Sequence, residues 1–163
     1  VSDEGDEARA AAMLGEAGVA IVAGVERLLP TWVPAQVVRI LDAWDRAAPA
    51  VRAEAERAAL AAGPEVAARV ATELRALFAA DPAAQVRTPL QVVRGAVREP
   101  TAILAAAGVA PVARDAFDER ALPEDRYDLA PRTLGDLGDP ELAPLLLVWG
   151  QAKARVLRAR AVP

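Results

Sequence analysis

A chain of 163 residues with a formal net charge of −4 and 26% charged residues of both signs is the size of one ordinary domain. It lacks the broad basic excess that nucleic-acid binding predicts. Cysteine and histidine are both absent, which removes disulfides, thiolate nucleophiles, imidazole bases and the usual zinc ligand sets. Hydrophobic residues reach 54% and aromatics only 4%. Alanine supplies much of the first figure, so the composition points to closely packed helices rather than a large apolar interior. Valines fall mostly singly at helical spacing and no run alternates as a strand would. The expectation is all-α: one helical domain over 1–163, a compact bundle of five or six main helices with one long, ordered, Pro/Asp/Arg-rich connection.

Residues 1–6 are acidic and expected to fray. An acidic start is the opposite of a signal peptide and favours a cytoplasmic setting. A helix follows over about 7–29, with Leu14, Ile21, Val25 and Leu28 on one face and Val22 and Leu29 beside it. Its glycines, in GEAGVAIVAG, lack the Gly-Lys-Ser/Thr or GxGxxG of a phosphate loop and read as close helix contacts. Its most apolar window, Ala10 to Val25, contains Glu16 and falls short of the roughly 20 apolar residues of a membrane span.

Pro30 is expected to stop this helix and Pro34 to start the next, with Val37, Ile40, Leu41, Trp44 and Ala48 as its buried stripe. Asp42 and Asp45 sit one turn apart, as a paired-carboxylate metal site would. Arg39 and Arg46 flank them, so a solvated face with an Asp42–Arg46 pair is the preferred reading. A third helix from Pro49 to Ala62 offers only Val51 and Leu60 and reads as the most exposed. Gly63-Pro64 reads as a turn. A fourth helix to Ala80 buries Val66, Val70, Leu74, Leu77 and Phe78 and pairs Glu65 with Arg69.

Thr88-Pro89 reads as an N-cap followed by proline at the first helical position. Leu90, Val93 and Val97 face inward, while Arg87, Gln91, Arg94 and Arg98 recur at i, i+4, i+7 and i+11 as a one-sided basic stripe. Glu99-Pro100 breaks the chain before a short helix to Ala107, capped by Gly108. From Val109 to Leu137 periodicity fades. Asp115, Asp118, Glu119, Glu124, Asp125 and Asp128 alternate with Arg114, Arg120, Arg126 and Arg132, and Phe117, Leu122, Tyr127 and Leu129 serve as anchors. Helical turns are expected at Asp115–Arg120 and Thr133–Asp136. The final helix starts at Asp139-Pro140 or Pro144 and runs to about Ala159. Its LLLVW segment, Leu145 to Trp149, is apolar all round and should be central. Lys153, Arg155, Arg158 and Arg160 near its end complement the helix dipole.

Arg87-Thr88-Pro89, Pro100-Thr101, Ala107-Gly108-Val109, Phe117-Asp118-Glu119-Arg120, Pro123-Glu124-Asp125, Tyr127-Asp128-Leu129 and Trp149-Gly150-Gln151-Ala152-Lys153 resemble a group of small uncharacterised actinobacterial helical proteins. The resemblance spans the second half of the chain, implies an all-helical fold and transfers no functional residue. Lys153 as the only lysine and the alanine content agree with a high-GC bacterial source.

Ser2 is the only serine, so catalysis would have to use carboxylates, Lys153, Tyr127 or threonines, and no spacing marks a pair. No cofactor or metal is expected: the acidic connection lacks the D-x-D-x-D-G order of a calcium loop. Lys153 reads as a stem packed along Trp149 with its head in water. Residues 101–117 have the outline of a helix-turn-helix, but Arg114 replaces a core residue and Asp115, Asp118 and Glu119 would face phosphates. The expected function is a non-enzymatic interaction or scaffold domain with a protein partner or self-association. Its candidate surface is Arg87, Gln91, Arg94, Arg98 and Tyr127, with the stripe clamped by acids of the connection. A DNA-binding regulator is the alternative, and a carboxylate enzyme comes behind it.

Overall fold

A computed structural model describes residues 2–43, 47–109 and 131–161, and among them every regular element is helical. Helix α1 spans Ser2–Ala43, α2 Pro49–Ala79, α3 Pro89–Arg94, α4 Arg98–Ala106 and α5 Ala143–Ala161. Tight 3-10 turns occupy Pro82–Ala84, Gly95–Val97, Leu134–Leu137 and Pro140–Leu142. The long helix α1 is the organising element: α2 and α5 pack along it, and α4 and the Leu134–Leu137 turn touch it as well.

Three sequence expectations are corrected here. The first is the break at Pro30 and Pro34. Both prolines lie inside α1, which continues through them for 42 residues. An interior proline removes a hydrogen bond and costs about 3 kcal/mol or more. Against that, Leu29, Val33 and Val37 are all fully buried and Trp32 nearly so. Each large side chain contributes about 1.5–3 kcal/mol when buried, and only a continuing helix keeps all four aligned on the core.

The second correction concerns Gly63-Pro64, which is not a turn. It lies within α2, a single helix of 31 residues. The half expected to be most exposed buries Ala55 and Ala59 completely, and Gly63 continues that face. Val51 is half-buried and Leu60 points outward, 67% exposed. Small residues spaced four apart let the α2 backbone come close to α1, a pattern that a search for large side chains overlooks.

The third correction is the LLLVW segment. Helix α5 buries Trp149, Ala152 and Val156 and leaves Leu147 64% exposed. It is an ordinary one-faced helix lying on α1, which holds the central position. By length and composition α1 could also cross a membrane over Gly5–Asp42, longer than the window read from the sequence. In this fold the same residues, Ile21, Val25, Leu29, Val33 and Val37, form the core.

Ion pairs also depart from the local pattern. Asp42 pairs with Arg52 of α2 at 2.6 Å, and Arg46, the partner expected for it, lies outside the described residues. Arg69 reaches Glu99 of α4 at 2.6 Å rather than Glu65. Arg75 pairs with Glu26 across α2 and α1. In each case the partner lies on another helix, while Arg52 also keeps its i,i+4 pair with Glu56 at 2.8 Å.

Candidate interaction surface

The basic stripe begins on the segment joining α2 to α3. Asp81 caps the Pro82–Ala84 turn, its Oδ1 accepting from the Ala83 amide at 2.9 Å. Gln85 is then drawn inward, 6% exposed, and its Nε2 donates to the Ala80 carbonyl at 3.0 Å. The next residue, Val86, is 91% exposed. Arg87 follows, exposed, with Nη2 3.6 Å from Glu73 of α2.

Thr88 caps α3 as expected. Its hydroxyl accepts from the Gln91 amide at 3.2 Å, and Gln91 Oε1 accepts from the Thr88 amide at 2.8 Å. This reciprocal capping box assigns Gln91 a structural duty. Helix α3 ends after six residues, and the Gly95–Val97 turn is wound more tightly before α4 starts at Arg98. Pro100 therefore lies inside α4 and does not break it. Arg87, Gln91, Arg94 and Arg98 are all exposed, but they come from a connection and two short helices instead of one face of one helix.

Tyr127 and the acids from Asp115 to Asp128 lie outside the described residues, as does the turn expected at Asp115–Arg120. The second half of the helix-turn-helix outline lies there too. Its first half is described: α4 closes at Gly108 with φ +85°, and the Val109 amide donates back to Leu104 O at 2.9 Å. That is a helix cap with its usual left-handed glycine. The turn at Thr133–Asp136 is present, with Asp136 Oδ2 accepting from the Arg132 and Thr133 amides at 2.7 and 3.0 Å.

The segment that leads into the stripe rests on a polar corner on α5. Lys153 of α5 does lie along Trp149, its Nζ 5.2 Å from the ring centroid. Its head is not left to water: Nζ donates to the backbone carbonyl of Gln85 at 2.5 Å. Phe78 of α2 meets Trp149 with ring centroids 6.4 Å apart and planes tilted by 58°, a favourable aromatic arrangement. Gln85 Oε1 and Trp149 Nε1 are buried without a protein partner. Two turns beyond Lys153 on α5, Arg160 bridges Glu7 of α1 at 2.8 Å and Asp81 at 2.7 Å.

The electrostatics follow from these contacts. The Ala83 amide and then the Arg160 guanidinium hold the Asp81 carboxyl below the usual aspartate range. Arg27, followed by the Glu141 amide, does the same for Asp139. Both carboxylates are thereby kept ionised as structural ties between elements. Among the described residues no three acids gather as metal ligands. In comparisons with family models, curated proteins and solved structures, nothing matches this chain.

Proposed function

We propose that this chain is a non-enzymatic, cytoplasmic protein-interaction domain that takes an acidic segment of a protein partner on the Val86–Arg98 surface. The observation that carries this reading is Val86, 91% exposed on a segment whose neighbouring carbonyl is held by Lys153. A valine displayed next to Arg87, with Arg94 exposed at the end of the following helix, combines an apolar contact with guanidinium groups suited to bidentate carboxylate recognition. Acids at 115–128 of the same chain have matching chemistry and are the intramolecular candidates for those arginines.

The test is selection of a displayed random-peptide library on the purified chain. Peptides bearing Asp or Glu next to an aliphatic residue should be enriched, and an R87E/R94E/R98E variant should lose them. Recovery of no such peptides, or of peptides indifferent to the charge reversal, overturns the reading. Limited proteolysis tests the intramolecular clamp separately. An R94E/R98E variant should be cut faster between Asp115 and Tyr127 if the acids of the connection hold these arginines, and unchanged cutting rejects the clamp.

A further inference from the structure

We infer that residues 81–88 form a strap with two positions, and that Lys153 latches the seated one. The strap leaves α2 at Ala80 and enters α3 at Thr88. Its attachments are polar. Arg160 holds Asp81 at one end, Lys153 holds the Gln85 carbonyl in the middle, and Arg87 lies 3.6 Å from Glu73 of α2 at the other end. Gln85 is the single buried residue of the strap, and its side-chain oxygen has no protein partner. No apolar side chain of the strap is buried, so seating it gains little from the hydrophobic effect.

A segment with few buried apolar contacts belongs to the low-stability end of a fold and opens locally. Lifting the strap lets Gln85 Oε1 and Trp149 Nε1 hydrogen-bond to solvent, which narrows the gap between the two positions. Of the contacts that favour the seated one, the Lys153 bond to Gln85 is part-buried and reaches the middle of the strap. Its anchor is well made, because Lys153 is braced over Trp149 and Trp149 is buried against α1 and Phe78. Lifting would displace Val86 and Arg87 together, so the strap position would set whether the proposed partner surface is assembled. That last coupling rests on the function proposed above, whereas the strap itself does not.

Native-state hydrogen exchange on the whole chain tests the strap without any partner. The Ala83, Ala84 and Gln85 amides report it, since the single tight turn they close unwinds once Asp81 and Gln85 are released. A K153M variant keeps a stem for Trp149 and removes the ammonium. Exchange at these three amides should rise roughly tenfold, with α1 and α2 core amides unchanged. No rise, or a rise shared equally with Leu29 and Leu74, overturns the latch. The wild-type chain provides a second measurement. In low urea the strap amides should exchange at a rate independent of denaturant, as local opening requires, while Leu74 speeds up. Strap amides that follow the urea dependence of Leu74 would show that no separate lifting exists.

Discussion

Gly63 of α2 packs against the backbone of Pro30 in α1 so closely that a Cβ at position 63 would stand 2.5 Å from the Pro30 carbonyl oxygen. The reason lies four residues further along α1. Pro34 has no N–H, so the Pro30 carbonyl lacks its helical donor, and Gly63 lets the second helix approach that turn. Proline and glycine, each a helix breaker in isolation, here define where the two longest helices meet.

Replacing Gly63 with alanine should therefore destabilise the chain. Relief of glycine's helix penalty is worth up to about 1 kcal/mol, whereas forcing an extra carbon into a packed contact costs about 1–3 kcal/mol. The atom in the way is backbone and cannot rotate aside, so the clash should win by about 1–2 kcal/mol. Urea denaturation measures it, and a G63A chain as stable as wild type would mean the helices part freely at this point.

Gly15 provides the opposite case on α1. It is exposed, and a Cβ there meets nothing within 4 Å. Gly15→Ala should stabilise by about 0.4–1 kcal/mol through the unfolded chain and helix propensity. A rise in the urea midpoint at unchanged slope checks this, and a fall would point to an unrecognised contact on that face.

Leu74 and Leu60 separate packing from pattern on one helix. Leu74 is fully buried and Leu60 is 67% exposed. Leu74→Ala should cost about 2–5 kcal/mol, and Leu60→Ala should stay within about 0.5 kcal/mol of wild type. Thermal or urea unfolding of the two variants settles the comparison. Similar losses at both positions would mean that Leu60 is covered in solution.

Acid should weaken the fold partly through Asp81 and Asp139. Each carboxyl titrates below its ordinary value in the folded chain, Asp81 because of the Ala83 amide and Arg160, Asp139 because of Arg27 and the Glu141 amide. A depressed folded pKa adds stability that is present above the unfolded value of about 4. It is lost as the pH falls through the folded value. The D81N and D139N variants should be less stable than wild type near pH 6. Their urea midpoints should also decline less steeply between about pH 5 and pH 3. Identical acid limbs in wild type and both variants would remove these two groups from the transition.

Much of this molecule was legible before its coordinates. Helical spacing found the buried faces around Ile21, Val25, Val37, Val66, Val70 and Leu74. Capping chemistry found Thr88, Gly108 and the Thr133–Asp136 turn, because a cap is set by residues within reach of each other along the chain. Lys153 against Trp149 was visible for the same reason, being one helical turn apart. The other half of the Lys153 contact, a carbonyl 68 residues away, left no trace in local pattern.

The sequence by itself determined an all-helical chain, its capped ends and most of its apolar stripes, since these follow from propensity and period within a few turns. Only the tertiary structure decided that Pro30, Pro34 and Pro64 lie inside helices, because burial of Leu29, Trp32, Val33 and Val37 on α1, and of Ala59, Val66, Ala67 and Val70 on α2, outweighs the local cost of a proline. It also decided that α1 and not LLLVW is central, that Arg52, Arg69 and Arg75 reach acids on other helices, and that Gln85 is drawn in while Val86 is displayed. Each of these depends on which surfaces meet, and a reading of neighbours along the chain has no access to that.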